Sequence, residues 1–212
     1  ELERHDYDVV GLSGIIVNVG KIREMCRLVR RHAPAATIVV GGHVTPIPGI
    51  ESMIDADYIV KGEGVTWLRE YLGDDPDRPI EHPVIPSSFG FRVLGLPGMD
   101  RGHAAATIIS SVGCPMGCNF CTTSEFFGGK GHLVNFMPRG DDVYRAMCHA
   151  ERELGAHAFF MMDENFLLYR KRALELLELM RRHDKAWSLY VFSSANAIRK
   201  YTMRELVELG IE

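Results

Sequence analysis

The sequence predicts an α/β protein in which a partial doubly wound, Rossmann-like domain precedes the first half of a partial (β/α) TIM barrel. Short apolar strands alternate with amphipathic helical segments along residues 1–72 and again along residues 105–212. Strands that alternate with helices form parallel sheets. Between these regions, residues 73–104 lose periodicity and hold five of the ten prolines, which predicts an interdomain linker.

The first domain is predicted from three apolar strands at 7–12, 37–40 and 58–60, each with glycine or serine within two residues of its end. Ile22, Met25, Cys26 and Val29 recur at helical spacing between the first two strands. A later helix is marked by apolar residues at 67, 68, 71 and 72. This βαβαβα order predicts a parallel sheet.

The second domain repeats the pattern with strands at 105–112, 157–162 and 188–193 and helices at 141–154, 171–183 and 203–209. Thr202 and Glu205 have the spacing of a capping box for the last helix, and Gly210 follows as its C-terminal stop. Residues 211–212 resemble the start of a fourth strand. We therefore expect an open sheet edge and a chain that is a fragment of a longer protein.

Composition restricts the partners. The 212 residues are 46% hydrophobic and 25% charged, as in globular proteins, and 24 Lys and Arg stand against 28 Asp and Glu, for a net charge of −4. This balance argues against a nucleic-acid surface. No apolar run is long enough to span a bilayer and no signal peptide is recognisable, so we expect a cytoplasmic protein with no membrane partner.

Three of the five cysteines lie within eight residues, in the pattern CxxxCxxC formed by Cys114, Cys118 and Cys121. An odd number with this crowding favours metal binding in a reducing compartment over disulfides. The loop follows an apolar strand, and three thiolates in one short loop suit three corners of an iron–sulfur cubane. Zinc would need a fourth ligand such as Cys148 or His132. An electron carrier would need a fourth nearby cysteine, whereas Cys26 and Cys148 are expected in the core.

This spacing, with Phe120 just before the third cysteine, resembles the signature of the radical S-adenosylmethionine (SAM) superfamily over residues 105–212. The resemblance implies a [4Fe-4S] cluster whose metal ligands and catalytic residues are Cys114, Cys118 and Cys121. It also implies that the iron without a protein ligand binds SAM, with Phe120 beside the cofactor, and that reductive cleavage gives a 5'-deoxyadenosyl radical.

Further SAM contacts are expected at the carboxyl ends of the next two strands. Asp163 and Glu164 follow the second strand, where the resemblance implies a carboxylate for the SAM ammonium, and Glu164 is the better candidate. Turn formation is an equally good interpretation of these residues. Ser193 follows the third strand and is expected near the ribose or carboxylate of SAM, with helix capping as the alternative.

Glycines end the strands of the first domain, where ligands bind in open parallel sheets. Ser13, the doublet Gly41 and Gly42, and the segment that begins with Gly62 and Glu63 resemble the cobalamin-binding domain that commonly precedes a radical SAM barrel. The resemblance implies cobalamin as a third cofactor. His43 is interpreted as a structural histidine and not as a cobalt ligand.

Together these resemblances imply a cobalamin-dependent radical SAM methyltransferase that acts on an unactivated centre. A cobalamin-associated cyclase or rearrangement enzyme is an alternative within the superfamily, and a non-catalytic metal-binding module is an alternative of another class. The expected partners are a small-molecule or peptide substrate and an electron donor such as flavodoxin or ferredoxin.

Overall fold

A computed structural model describes residues 2–87 and 105–212. The strands and helices, in chain order, are β1 Val9–Ser13, α1 Val19–His32, β2 Thr37–Gly41, α2 Ile50–Met53, β3 Tyr58–Ile59, α3 Val65–Leu72, β4 Ile85–Ser87, β5 Ala105–Ile108, β6 Ser111–Val112, α4 Thr122–Phe126, β7 Val134–Asn135, α5 Gly140–Leu154, β8 Ala158–Met161, α6 Arg170–Arg182, β9 Ser188–Val191, α7 Ala195–Ile198 and α8 Met203–Glu208. Single 3-10 turns lie at Ile16–Asn18 and Phe166–Leu168.

The chain forms two compact units. Of the described residues, unit 1 contains 2–78 and 114–132, and unit 2 contains 79–87, 105–113 and 133–212. The domain limits expected from the sequence, 1–72 and 105–212, stay a prediction, since compact packing does not test where domains begin. Within the predicted linker, residues 85–87 form β4, and residues 88–104 lie outside the described part of the chain.

Unit 1 holds a three-stranded sheet in the order β1-β2-β3, with both pairings parallel. Its core is built where Ile22, Cys26 and Val29 of α1 pack with Ile38 and Val40 of β2. The helical spacing of Ile22, Cys26 and Val29 puts these residues on one face of α1. The parallel pairing of the strands confirms the predicted parallel sheet. The order 1-2-3 contains no reversal, so the doubly wound arrangement stays a prediction.

Unit 2 holds a sheet in the order β4-β5-β8-β9, in which β5, β8 and β9 are parallel and β4 pairs antiparallel with β5. The large helices α5 and α6 connect the parallel strands. Phe159, Met161, Leu176, Leu177 and Leu189 are among the side chains buried in its core, and burying each one contributes about 1.5–3 kcal/mol.

The end of the chain behaves as its sequence predicts. Thr202 and Glu205 form the expected capping box of α8, with the Thr202 Oγ1 accepting from the Glu205 amide at 3.1 Å. Ile211 then forms a parallel bridge with Leu189. The chain therefore returns to the sheet beside β9, as the expected start of a fourth strand requires.

The predicted strand 105–112 is wrong as one element, because the chain leaves the sheet after Ile108 and forms the separate strand β6. The physical reason is a contact between residues far apart in the chain. Ser110 and Ser111 turn their amides and hydroxyls toward the carboxylate of Asp163, while β6 pairs antiparallel with β7.

Across the described ranges, no helix is both long and apolar enough to cross a membrane.

Candidate functional site

The three motif cysteines lie in the loop between β6 and β7. Cys114 is buried, Cys121 is half-buried and Cys118 is exposed. The Cys121 amide donates to the Cys118 carbonyl at 2.9 Å, which closes a tight turn around the second and third cysteines. The Ser124 hydroxyl donates to the Cys114 carbonyl at 2.7 Å and thereby ties the start of α4 to the first cysteine.

Glycine is required twice in this loop. Gly113 and Gly117 have φ angles of 86° and 62°, which side chains rarely adopt. A Cβ on Gly117 would also lie 2.5 Å from the Lys130 Cβ. The Gly131 amide donates to the Pro115 carbonyl at 2.9 Å, so the two arms of the loop are joined by backbone contacts.

The donor set of the loop fits an iron–sulfur cluster, because soft thiolates are the ligands that such clusters take. Among the residues that the structure describes, no three His, Cys, Asp or Glu side chains are gathered as a metal-binding group. The fit therefore rests on the chemistry of the three cysteines and on the backbone of the loop.

Asp163 is the more constrained of the two carboxylates that follow β8. It is 1% exposed and accepts from the amides and hydroxyls of Ser110 and Ser111 at 2.6–3.2 Å. It also forms an ion pair with Arg172, whose NH2 lies 2.5 Å from its Oδ2. Both of its oxygens thus have donors inside the protein.

Glu164 has the opposite environment. Its carboxylate accepts from the Gly113 amide, and its Oε2 is buried without a hydrogen-bond partner among the described residues. Burial is the main cause that raises the pKa of Glu164, and the neighbouring Asp163 charge raises it further. A buried oxygen without a donor is suited to receive an ammonium group.

Ser193 follows β9 and donates to the Asn165 Oδ1 at 3.1 Å. The same oxygen accepts from the Ser194 amide at 3.0 Å. Ser194 caps α7, since its side chain accepts from Ala197. The helix capping expected as an alternative in this segment is thus present at Ser194. The Ser193 hydroxyl is instead bound to the side chain of Asn165, which follows β8.

The carboxyl edge of the first sheet brings together the predicted cobalamin contacts around its glycines. Gly42 has a φ of 79°, and a Cβ there would lie 2.7 Å from the Ser13 Oγ. A Cβ on Gly41 would meet nothing within 4 Å, so open space lies at the end of β2. Glu63 accepts from the amide and hydroxyl of Thr66, in the first turn of α3, at 2.8 Å.

Two aromatic side chains singled out in the sequence, Phe120 and His43, have different surroundings. Phe120, the aromatic residue of the cysteine motif, is 86% exposed. His43 packs against Phe126, with ring centroids 4.4 Å apart, which agrees with the structural interpretation of this histidine. A Cβ on Gly62 would lie 3.6 Å from the Phe126 carbonyl, so α4 lies close to two of the glycine-containing loops of unit 1.

Sequence reasoning missed Arg172, Ser110 and Ser111. The only signal for Arg172 was an arginine on the helix face that also carries Ala173 and Leu176, both buried. A serine pair just before the cysteine loop gives no periodic signal at all. The contacts of the two serines with Asp163 join residues 52 or 53 positions apart along the chain, and Arg172 lies nine positions after Asp163.

Comparison with known proteins identifies the class of the first part of the chain. Residues 1–72 match the family model described as the B12 binding domain. The match covers the region that carries Ser13 and the glycine doublet, and it agrees with the parallel sheet of unit 1.

Three curated relatives extend the similarity along the chain. Two are from Chlorobaculum tepidum. Bacteriochlorophyllide d C-8(2)-methyltransferase is 26% identical over 97% of this chain and 48% of the relative. Bacteriochlorophyllide d C-12(1)-methyltransferase is 32% identical over 94% of this chain and 45% of the relative. The third is an uncharacterised methyltransferase of Pyrococcus horikoshii, 23% identical over 99% of this chain and 51% of the relative. The chain spans about half the length of these relatives. These similarities confirm the resemblance to radical SAM proteins that contain a B12-binding domain.

Proposed function

We propose that this chain is the cofactor-binding half of a cobalamin-dependent radical SAM methyltransferase that acts on an unactivated centre. The observation that carries the proposal is the coexistence in one chain of a B12-binding match over residues 1–72 and the CxxxCxxC loop that follows β6. All three relatives are named as methyltransferases, which supports the same reaction class.

The proposed roles are supported by the chemistry of the three cysteines and by the surroundings of Glu164 and Gly41. Cys114, Cys118 and Cys121 would hold a [4Fe-4S] cluster, and the open oxygen of Glu164 would receive the SAM ammonium. The open space at Gly41 would admit cobalamin against the backbone. When bound, these cofactors supply a 5'-deoxyadenosyl radical and a transferable methyl group.

The remaining contacts of the chain orient these groups. The Gly113 amide donates to Glu164 and so links the start of the cysteine loop to the proposed ammonium site. Further proposals are a small-molecule or peptide substrate, a flavodoxin or ferredoxin as electron donor, and a reducing, cytoplasmic location that keeps the exposed Cys118 thiol reduced.

The first test is SAM cleavage by the full-length protein that carries this chain. After anaerobic reconstitution with iron and sulfide, the reduced protein should release 5'-deoxyadenosine, and Cys118→Ala should abolish this release. Cys148→Ala is the matched control, because Cys148 lies on α5 outside the motif, and it should retain activity. A wild-type protein that holds an intact cluster but makes no 5'-deoxyadenosine would overturn the radical assignment.

The second test is cobalamin binding, followed by the visible spectrum during titration with hydroxocobalamin. Gly41→Val should weaken binding at least about tenfold by filling the space that cobalamin needs, since a Cβ there meets no protein atom within 4 Å. Gly11→Val is the control, because Gly11 lies in the middle of β1 and a Cβ there also meets open space. Equal affinity in both variants would contradict the assigned edge.

The third measurement separates reaction types. Methyl transfer predicts that product gains a labelled methyl group from SAM. Formation of 5'-deoxyadenosine with a rearranged or cyclised product and no methyl gain would assign the protein to the alternative reaction class of the same superfamily.

A further inference from the structure

The loop with the three cysteines leaves and re-enters unit 2 at one place. β6 and β7 pair antiparallel, with Ser111 opposite Asn135 and Val112 opposite Val134. The amides of Phe136 and Met137 both donate to the Ser110 carbonyl at 3.0 Å. The two ends of the loop are therefore held side by side by a very short antiparallel pair of strands.

Two strands of two residues each are weak by themselves. The buried ion pair between Asp163 and Arg172 contacts the chain at both ends of the cysteine loop. Asp163 accepts from the amides and hydroxyls of Ser110 and Ser111 at the entry of the loop. Arg172, whose side chain is buried like that of its partner, donates to the Met137 carbonyl at 3.3 Å and lies 3.5 Å from the Asn135 Oδ1 at the exit.

Stability alone does not account for this pair. Replacement of a buried ion pair by apolar side chains is often neutral or favourable for folding, because both charges lose their hydration. Arg172 also keeps a buried Nε without a hydrogen-bond partner among the described residues. What the pair supplies, and what an apolar pair would not, is a fixed set of directional contacts to the two ends of one loop.

We propose that Asp163 and Arg172 are a positioning pair that fixes, within unit 2, the two chain ends between which the cysteine loop runs. Asp163 acts through the serine backbone and not by contact with SAM. Gly113, which follows this anchored entry, donates to Glu164, so the same pair positions the proposed ammonium site. The link to cluster binding rests on the proposed function, whereas the anchoring itself does not.

The deciding variant is the double replacement Asp163→Asn with Arg172→Met in the full-length protein. It removes both charges together, so no unpaired buried charge remains. The asparagine keeps an oxygen for the serine amides at the entry, whereas methionine loses the contacts at the exit. The single variant Arg172→Met should lower thermal stability more than the double variant, since it strands the Asp163 charge.

The first readout is hydrogen exchange of the protein without cofactors. The Phe136 and Met137 amides should exchange at least about tenfold faster in the double variant, while amides of the α6 core keep their protection. Leu177→Ala, a core cavity on the same helix, is the control for general destabilisation. Unchanged exchange at 136–137, or the same pattern in Leu177→Ala, would overturn the anchor.

The second readout is the reconstituted cluster. We expect the double variant to bind less iron and sulfide per chain and to show a smaller change in the EPR signal of the reduced cluster when SAM is added, with Leu177→Ala near wild type. If the wild-type protein takes up no cluster, the proposed function fails while the exchange result still decides the anchor. Wild-type cluster content and EPR response in a double variant with fast exchange would refute the link between the two.

Discussion

Replacement of Glu164 by glutamine should change two properties of the protein in opposite directions. The carboxylate has a buried Oε2 without a partner among the described residues and accepts from the Gly113 amide. Glutamine has almost the same shape but no charge, and its amide can serve as donor or acceptor. Glu164→Gln should therefore stabilise the protein without SAM and weaken the binding of SAM.

The pH dependence gives the sign of the first effect. Burial raises the pKa of Glu164 above its ordinary value. A carboxyl group whose pKa is higher in the folded state stabilises the fold below its unfolded pKa, about 4.3, and this contribution is lost as the pH rises through the folded pKa. At pH 7 the ionised group therefore opposes folding, and glutamine removes both the cost and this part of the pH dependence.

The magnitude of the second effect follows from the lost charge. A hydrogen bond to a charged group contributes about 1.5–3 kcal/mol, which corresponds to roughly 10- to 150-fold in Kd at about 1.4 kcal/mol per decade. Thermal unfolding from pH 4 to 8 measures the first effect in protein without SAM. Equilibrium dialysis of SAM against full-length protein with a reconstituted cluster measures the second.

Glu175→Gln is the matched control, because Glu175 is also a carboxylate of unit 2 that accepts from a backbone amide, that of Gly140 at 2.9 Å, but its side chain is 37% exposed. It should leave SAM affinity unchanged. If Glu164→Gln binds SAM as tightly as wild type, the ammonium assignment is refuted. If it unfolds at a lower temperature at pH 7, the account of its buried charge is refuted.

Three further variants test other parts of the structure. Gly42→Ala should destabilise the protein by about 2–4 kcal/mol in urea unfolding, since it combines a positive φ with a contact to Ser13 at 2.7 Å; a loss below about 0.5 kcal/mol would contradict the close approach. His43→Phe should retain cobalamin affinity and His43→Ala should lose stability, because the ring packs on Phe126; equal loss of cobalamin in both would instead indicate a ligand. Thr202→Ala should cost about 1 kcal/mol by removing the cap of α8, and an unchanged midpoint would show that this helix end does not need it.

Much of the fold could be predicted because its signals are local. The helix of residues 19–32 buries Ile22, Cys26 and Val29, as their spacing requires. The capping box at Thr202 depends only on residues three apart. The predicted parallel strands were placed within one or two residues, except at Ser110, where the predicted strand breaks because a distant carboxylate, Asp163, accepts from its backbone amide. The short antiparallel strands β4 and β7 were not predicted.

The sequence by itself determined which chemistry the chain offers: three thiolates at CxxxCxxC spacing, glycines at the ends of parallel strands, and carboxylates after the next strand. The resemblance ranked Glu164 above Asp163, but only the tertiary structure gave the physical reason for a difference between them. Adjacent residues at a strand end point in different directions, so Asp163 meets Arg172 and two serines, while Glu164 keeps an oxygen without a described partner. That difference depends on long-range contacts, and the local pattern contains no trace of them.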